Sequence, residues 1–404
     1  MQISSISKTS DPLGRYYTDS VVGSLLVKTM GLICPSTVLD LGSGDGALVG
    51  EAAKIWENTH FITVDIDANV GSTMLQQLNG RKFTHHITDA LDFALAERLG
   101  LRQGEADAAL CNPPYLRPRW KKHFAEILED AGLSHVLPRM SEFPSDLLFI
   151  AQNLRLLRDD GRLGLILPDS IISGEKFTSF RKTLAEKHRI ERVIELPRRI
   201  FRNTDAKAHI LVVSKHGEAS DHITIQRLEE NGSLSPQLKL PVDCAEKRLD
   251  YSYVVQKHGC IDFKERSIGS VTCCVLRGSV SSACRKHAYL PVFHTTDFPF
   301  YEDFVPHTYV LPNEAEYAVT GIIASQGDIL VARVGRNLSQ KVCMVRSGRV
   351  AISDCILMLK VVPEYRETVL TFLRSKNGKI ALEAASHGVG AKFITKHSLL
   401  EITF

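Results

Sequence analysis

Short apolar runs alternate with amphipathic segments from residue 36 to about residue 215, and this alternation limits the possible folds more than any other feature. Helix-type segments such as SDLLFIAQNLRLL (145–157), with Ser145 in the N-cap position, lie between the runs. Strands that alternate with helices indicate parallel β-α-β units with right-handed crossovers. We therefore predict a doubly wound α/β domain over residues 1–215. The strand-type runs are TVLDL (37–41), HFITVD (60–65), FTHHIT (83–88), DAALCN (107–112), RLGLILP (162–168), RVIELP (192–197) and HILVVS (209–214).

The remaining sequence predicts a second domain, because 404 residues exceed the length of one ordinary domain. Residues 216–246 are polar and rich in turn-forming residues, so we predict a linker there with one hairpin. Beyond it, β-type runs such as GDILVARVG alternate with turn signals, and a single helix is predicted over 366–386. This pattern indicates a smaller α+β domain, rich in β structure, over residues 247–404.

Composition narrows the class of protein. The net charge of +3 means that affinity for a polyanion must come from local basic patches. The nine cysteines form no C-x-x-C pair, so we expect reduced thiols, without a zinc site or a disulfide framework. The polar start lacks the apolar core of a signal peptide, and no apolar run approaches the ~18 residues of a membrane span. We expect a cytoplasmic protein without a metal site.

A glycine-rich turn, VLDLGSGDG (38–46), follows the first strand and lets backbone N–H groups approach a bound ligand. Taken alone, its G-x-G-x-x-A pattern also fits a dinucleotide enzyme. Asp40 precedes the first glycine by two residues, while Asp65 and Asp89 end the next two strands. An acid at the place of Asp65 can accept hydrogen bonds from two ribose hydroxyls. Three acids at three successive strand ends favour a binding site over unrelated strand-end caps.

The segment CNPPYLRPRW (111–120) directly follows the fourth strand, at the sheet edge where ligands bind in open α/β folds. An amino nitrogen on an aromatic ring is a poor nucleophile because its lone pair is delocalised. The side-chain oxygen of Asn112 and the carbonyl of Pro113 can accept both of its N–H groups and stabilise the charge that builds on nitrogen. The prolines at 113 and 114 stiffen the loop, and Tyr115 offers a face on which a base can stack.

Basic residues follow this loop at once. A target base in a duplex must be flipped out to reach such a pocket. A basic loop beside the pocket can hold the phosphates of the distorted strand, although the same charges also suit a solvated surface loop. The residues that we assign to this role are Arg117, Arg119, Lys121 and Lys122.

Together, residues 14–215 resemble the catalytic domain of γ-class N6-adenine DNA methyltransferases. The resemblance rests on GRYYTDS (14–20), on D-x-G-x-G, on NPPY and on RRIFRNTDAKAHILVVSK (198–215). It implies a Rossmann-like domain with a mixed seven-strand sheet that binds S-adenosyl-L-methionine. The catalytic residues that it implies are Asn112, Pro113, Pro114, Tyr115 and Phe201. The cofactor-binding residues that it implies are Tyr17, Thr18, Asp40, Gly42, Gly44, Asp65, Ile66, Asp89 and Asn112.

The resemblance also assigns roles within these sets. Tyr17 and Thr18 belong to a segment that packs over the methionine part of the cofactor, which Asp40 faces. Asp65 holds the ribose and Asp89 the adenine amino group. Phe201 supplies a second aromatic face for the flipped base. An asparagine at 112 is typical of adenine methylation.

Residues 247–404 resemble a target recognition domain of type I restriction specificity subunits, and this implies double-stranded DNA as a partner. Arg333 and Arg336 are candidate DNA contacts, or else surface charges on a hairpin. A separately encoded restriction endonuclease stays open as a partner, as does a solitary methylase. The matching pieces are KRLDYSYV, IGSVTCCVLRGS, AYLPVFHTTDF, QGDILVARVG and HGVGAKFITKHSLLEITF.

Three other functions compete with this interpretation. Asp169 with Glu175 and Lys176 resembles a PD…(D/E)xK nuclease signature, but the residue required between the last acid and the lysine is missing, so we expect no cleavage. N-P-P-Y also serves RNA methyltransferases and protein-glutamine methyltransferases, which remain open. A non-catalytic DNA-recognition subunit is the third reading, and the complete set of motifs argues against it.

Overall fold

The computed structural model describes residues 19–134, 143–198, 200, 207–258, 266–281, 283–287, 290–299, 302–312, 321–388 and 392–404. The backbone divides into two compact units, residues 1–254 and 255–404. Tyr17, Thr18 and Phe201, which the sequence assigns to the site, lie outside the described residues.

The first unit is built on one mixed sheet, which has nine strands among the described residues. Their spatial order is β3-β2-β1-β4-β5-β7-β6-β8-β9. β1 to β5 run parallel, and β7 runs antiparallel to both of its neighbours. The predicted mixed sheet of seven strands is confirmed as β1 to β7, and β8 and β9 extend it. The strands are β1 Thr37–Leu41, β2 His60–Asp65, β3 Phe83–Ile87, β4 Ala106–Cys111, β5 Leu157–Pro168, β6 Arg189–Glu195, β7 Ala208–Ser214, β8 His222–Arg227 and β9 Leu238–Pro241.

Helices cover both faces of this sheet, because successive strand residues point to opposite sides. In β1, Val38 packs into the apolar cluster beneath α1 and α2, whereas Leu39 packs into the cluster beneath α5 and α6. The α/β layers that the sequence predicts are thus present. The helices are α1 Ser20–Thr29, α2 Ala47–Ala53, α3 Gly71–Gln77, α4 Leu95–Arg98, α5 Lys122–Asp130, α6 Ser145–Leu156, α7 Asp169–Ser173, α8 Thr178–Lys187 and α9 Tyr251–His258.

Helix α6 is buried along its whole length. A helix that is buried on every face must lie in the centre of a layer, and α6 contacts both β4 and β5. The predicted N-cap role of Ser145 is wrong, because Pro144 occupies the N-cap position and Ser145 is the first helical residue. The Ser145 hydroxyl bonds to another loop, as described below.

Residues 216–246 differ from the linker that the sequence predicts. β8 pairs in parallel with β6, and β9 pairs with β8 as an antiparallel hairpin. The single apolar piece of this stretch places Ile223 and Ile225 in the core, and both are fully buried. Buried apolar residues two positions apart are enough to add a strand to the open edge of a sheet. The first unit therefore continues to Val254, eight residues past the expected boundary at 246.

The second unit is the predicted α+β structure, rich in strands. Within its described residues, the sheets have the orders β10-β17-β13-β15, β11-β16-β12 and β14-β18. The strands are β10 Thr272–Arg277, β11 Val292–Phe293, β12 Ile323–Ser325, β13 Ile329–Ala332, β14 Val334–Gly335, β15 Val342–Met344, β16 Arg349–Ile352, β17 Ile356–Val361 and β18 Lys392–Phe393.

The single helix predicted over 366–386 is two helices. α10 spans Arg366–Arg374 and α11 spans Lys376–Ala385, and α12 Lys396–Leu400 follows later. Ser375 breaks the run because its side chain accepts a hydrogen bond from the N–H of Gly378 and caps α11. None of the helices in the described part of the chain is both long and apolar enough to cross a bilayer.

Candidate active site

A cavity of about 410 Å³ opens at the carboxyl edge of the large sheet. β1 to β4 are parallel, so the residues that follow them meet at one edge, and α6 closes the floor of the cavity. The structure thus brings together residues that are far apart in sequence. The predicted site residues that line the cavity are Asp40, Gly42, Gly44, Asp65, Ile66, Asp89, Asn112, Pro114, Arg117 and Lys121.

The glycine turn is held against the end of β2 by its own backbone. The N–H groups of Gly42 and Ser43 donate to the Val64 carbonyl at 2.8 and 3.0 Å. Gly42 has a φ of 76°, and a Cβ there would lie 3.2 Å from a ring carbon of Phe149. Both the backbone and the space therefore require glycine at this position.

Asp65 links the glycine turn to β2 and also faces the cavity. Its oxygens accept hydrogen bonds from the N–H groups of Gly44, at 2.7 Å, and of Asp67, at 2.9 Å. A carboxylate has about four acceptor positions, so acceptor capacity is left for hydroxyl groups of a ligand. The next residue, Ile66, is 61% exposed although it is apolar, and it offers the cavity a surface for a flat ring.

Asp40 lies on the wall of the cavity with its carboxylate buried. Neither of its oxygens has a hydrogen-bond partner among the described residues. Burial raises the pKa of Asp40 well above its ordinary value, and the carboxylates of Asp65 and Asp45 add to that rise. A buried carboxylate without a partner is unfavourable. A cationic ligand group beside it would relieve that cost, so the site fits the ammonium end of S-adenosylmethionine.

Asp89 lies at the rim of the same cavity. Its Oδ1 accepts from the Leu91 N–H at 2.9 Å, and its Oδ2 lies 3.4 Å from Nζ of Lys121. The sequence assigns Lys121 to DNA phosphates, whereas the structure pairs it with Asp89, an acid of the same cavity. Both side chains are about half exposed, so the pair adds little stability.

The loop that carries the predicted catalytic residues follows β4. Asn112 lines the cavity, and its Oδ1 lies 3.5 Å from the hydroxyl of Tyr115. Pro113 is buried, and neither it nor Tyr115 lines the cavity wall. Arg119 and Lys122 are exposed on the following segment and do not line the cavity. Trp120 of this basic segment is 44% exposed and packs against Phe124 and Phe143.

The second unit holds the two other predicted DNA contacts. Arg333 is half-buried, and its Nε donates to the Asp354 carbonyl at 3.0 Å. Arg336 is exposed. Of the two, Arg336 has the side chain that is better placed to meet a ligand from solvent.

Several cavity residues were not predicted. Ser145 and Phe149 come from α6, four residues apart, so they share one face of that helix. The sequence could not single them out because every residue of α6 is buried. The remaining unpredicted residues of the lining are Ser43, Asp45, Ala47, Leu48, Ala90, Leu91, Leu116, Pro118 and Phe124.

The residue after Ser145 is a buried acid. Asp146 is 7% exposed, and its Oδ1 accepts the N–H of Leu147 at 3.0 Å. Burial raises the pKa of Asp146 to about 6, although that hydrogen bond and the charges of Lys176 and Arg117 oppose the rise. The ionised carboxyl therefore destabilises the folded chain at neutral pH.

Replacing Asp146 by asparagine should stabilise the protein at neutral pH. A rise in pKa from 3.8 to about 6 corresponds to a penalty of about 3 kcal/mol once both states are ionised. The penalty is absent below the unfolded pKa and grows as the pH rises through the folded pKa. Urea unfolding should show that the gain shrinks from about 3 kcal/mol at pH 7.5 to about 1 kcal/mol at pH 4.5. An equal gain at both pH values would contradict this explanation.

A buried group of charges lies at the same edge of the sheet, where β5 and β6 end and β7 begins. We call Asp169, Glu195, Lys207, Arg248 and Asp250 the charged cluster. Nζ of Lys207 lies 3.5 Å from Asp169, 3.2 Å from Glu195 and 3.6 Å from Asp250. Arg248 donates twice to Asp250, at 2.7 and 2.9 Å. The cluster ties residues 248–250 into the first unit.

The charged cluster explains Asp169, which the sequence presents as part of a nuclease-like motif. Nε2 of His209 lies 2.9 Å from its Oδ1, and the Ser173 hydroxyl donates to its Oδ2 at 2.8 Å. Burial alone would raise the pKa of Asp169, but Lys207 and His209 hold it well below its ordinary value. Asp169 is therefore committed to contacts within the fold.

The comparisons with known proteins agree with this architecture. A family model described as N-6 DNA methylase matches residues 3–239, more than half of the chain. The type I restriction enzyme MpnII methylase subunit of Mycoplasma pneumoniae is 23% identical over 258 residues, which are 57% of this chain and 47% of that protein. The type II methyltransferase M.CvrRI of Paramecium bursaria Chlorella virus XZ-6E is 22% identical over 203 residues, 50% of this chain and 48% of that protein.

This chain therefore spans about half the length of the curated relatives that it matches. Among solved structures, the type IIG restriction endonuclease BpuSI is similar with a TM-score of 0.55 and 13% identity. That similarity covers 97% of this chain and 59% of that chain, and it concerns the fold alone.

Proposed function

This chain belongs to the N-6 DNA methylase family, and on that basis we propose that it transfers a methyl group from S-adenosyl-L-methionine to the N6 amino group of adenine in double-stranded DNA. One observation carries the proposal. A single cavity joins Asn112 to the glycine turn and to acids from the ends of three neighbouring strands. This combination suits a methyl donor beside an aromatic amine.

The cavity residues divide the work of holding the cofactor, which when bound supplies a methyl group on a positively charged sulfur. Asp40 faces the cationic methionine end, and the lack of a hydrogen-bond partner for its carboxylate among the described residues supports that role. Asp65 accepts from the ribose hydroxyls. Ile66 lies against the adenine ring, and Asp89 accepts from the adenine amino group.

The loop at the end of β4 acts on the target base. Oδ1 of Asn112 and the Pro113 carbonyl accept hydrogen bonds from the two N–H groups of the amine. They stabilise the positive charge that builds on nitrogen, and because they are fixed they need no rearrangement. Tyr115 and Phe201 offer aromatic faces to the flipped base.

DNA is the proposed partner of both units. Exposed Arg119 and Lys122 hold phosphates beside the cavity, with Arg117 at its rim. The second unit, residues 255–404, reads the DNA sequence, with Arg333 and Arg336 among the contacts. One relative is named as the methylase subunit of a type I restriction enzyme, and this supports a separately encoded nuclease as a candidate partner.

A transfer assay tests the proposal. The chain is incubated with methyl-labelled cofactor and with double-stranded DNA, RNA or protein, and the DNA is then digested to nucleosides. We expect label only in N6-methyladenine. Label in RNA or in glutamine would make the chain an RNA or protein methyltransferase, and DNA binding without any product would make it a recognition subunit.

A fragment that ends at residue 258 should keep cofactor binding and lose discrimination between DNA sequences. The cavity residues all lie before residue 150, and phosphate contacts alone carry no sequence information. The full chain should prefer its site by at least about 10³, whereas the fragment should bind weakly and with steep salt dependence. Salt titrations on target and scrambled duplexes measure both.

A shorter fragment, 1–246, is the matched control for this boundary. It lacks Arg248 and Asp250, so it leaves Lys207 short of a buried partner. We expect it to unfold at lower temperature than fragment 1–258. Discrimination by fragment 1–258 would show that the recognition role of the second unit is wrong.

A further inference from the structure

The loop that carries Asn112 cannot hold itself in place with its own backbone. Pro113 and Pro114 have no N–H group, so two consecutive residues of the loop cannot donate a backbone hydrogen bond. The N–H of Leu116 donates to the Pro114 carbonyl at 3.0 Å, which closes a small turn. The turn needs a further attachment if its acceptors are to stay fixed.

Ser145 supplies that attachment from α6. Its hydroxyl oxygen accepts the Leu116 N–H at 3.0 Å, and its backbone N–H donates to the Leu116 carbonyl at 3.0 Å. The hydroxyl proton has two carbonyls within reach, those of Pro114 and Leu116, and the closer one belongs to Pro114. Ser145 is 2% exposed, so water does not compete for these bonds.

The residue that attaches the loop belongs to a buried helix. Ser145 is the first residue of α6, whose residues are all buried. Phe149, one turn later, packs so close to Gly42 that a Cβ at that glycine would lie 3.2 Å from the phenylalanine ring. The same helix thus contacts both the glycine turn and the NPPY loop. Ser145 and Phe149 also line the cavity itself.

We propose that Ser145 is a positioning residue for the amine-accepting loop. By bonding the Pro114 carbonyl it turns that carbonyl away from the amine, and the side chain of Asn112 and the Pro113 carbonyl are left as the acceptors. This inference rests on the proposed function. Reaction rates depend steeply on such placement, since a shift of about 1 Å can cost about 10² in rate.

The test compares Ser145→Ala with Ser214→Ala. Ser214 is also a buried serine of the first unit, but its hydroxyl donates to Glu191 at the opposite end of β7. We expect Ser145→Ala to lower the single-turnover rate of methyl transfer about 10²-fold. It should leave the Kd for S-adenosylhomocysteine within about threefold, because the glycine turn and the acids are unchanged. Ser214→Ala should keep the wild-type rate.

Amide hydrogen exchange adds a readout that does not depend on activity. The Leu116 amide should exchange faster in Ser145→Ala, and Ser145→Thr, which keeps the hydroxyl, should restore both slow exchange and most of the rate. An unchanged rate or unchanged exchange in Ser145→Ala, or a failure of Ser145→Thr to restore either, overturns the positioning role. So does a large loss of cofactor affinity in Ser145→Ala, which would indicate general damage to the site.

Asn112→Ala in the same experiment separates the two proposals. If the wild-type chain transfers no methyl group, or if Asn112→Ala stays active, the proposed function is wrong, and the exchange rate of Leu116 still tests the attachment. If Asn112→Ala is inactive while Ser145→Ala is normal, only the inference about Ser145 fails.

Discussion

Replacing Asn112 by alanine should abolish methyl transfer, with a rate about 10²–10³ times lower than that of the wild-type chain. The variant removes the side-chain oxygen that we propose as an acceptor for the amine, and this acceptor is needed most when charge has built up on the nitrogen. Cofactor affinity should change only a few-fold, because Asp40, Asp65 and the glycine turn are untouched. Single-turnover transfer to adenine and calorimetric titration of the cofactor measure the two quantities.

Asn69→Ala is the matched control for this experiment. Asn69 lies in the turn after β2, is exposed, and donates to Asp67 at 2.8 Å. The same side-chain deletion there should leave the transfer rate within about twofold of wild type. A rate near normal in Asn112→Ala would remove Asn112 from the mechanism.

Replacing Lys207 by methionine should lower the free energy of unfolding by about 3–5 kcal/mol, the largest loss of stability that we predict for a single substitution. The side chain of Lys207 is 12% exposed and lies within 4 Å of Asp169, Glu195 and Asp250. Methionine fills a similar volume but leaves three buried carboxylates with less positive charge among them. Urea unfolding of the full chain, followed by circular dichroism, gives the free energy.

The control for Lys207 is an exposed ion pair. Nζ of Lys54 lies 2.6 Å from Glu51, but the lysine side chain is 67% exposed. Lys54→Met should therefore cost at most about 1 kcal/mol. Similar losses in the two variants would show that the charged cluster contributes no more than a surface pair.

The stability of the wild-type chain and that of Lys207→Met should also depend differently on pH. Burial opposes ionisation of Asp169 and Asp250, but Lys207, Arg248 and His209 together hold both pKa values below the ordinary range. Their stabilisation is present above a pH of about 4 and is lost as the pH falls through the lowered pKa values. Despite burial, the three carboxylates raise the pKa of Lys207. The contribution of Lys207 to the stability of the fold is therefore lost only as the pH rises beyond about 10.4. In Lys207→Met, acidification from pH 7 should instead relieve repulsion and raise the stability.

The sequence was sufficient for features that are local. β1 to β7 were predictable because each is a short apolar run between turn signals. The meeting of Asp40, Asp65 and Asp89 at one cavity was predictable because each lies at or just beyond the carboxyl end of a strand of the same parallel set. Parallel strands place their carboxyl ends at one edge, so chain position alone locates these side chains.

Features that depend on distant segments were not predictable. Ser145 meets the loop of Asn112 only because α6 packs behind β4, and no local pattern marks that contact. β8 joins the sheet because β6 leaves an open edge. The polar residues that flank β8 in the sequence do not suggest this pairing. Ser375 ends a helical run by capping the next helix, although the apolar spacing continues across it.

The charged cluster also sets the point at which the two units can be exchanged between proteins. Arg248 and Asp250 lie beyond residue 246, where the sequence places the start of the second domain, yet they belong to the first unit together with their partners Lys207 and Asp169. A chimaera joined near residue 246 would place foreign side chains in a buried electrostatic network. A junction after Val254 leaves that network intact, so recombination that exchanges the second unit should be tolerated there and selected against a few residues earlier.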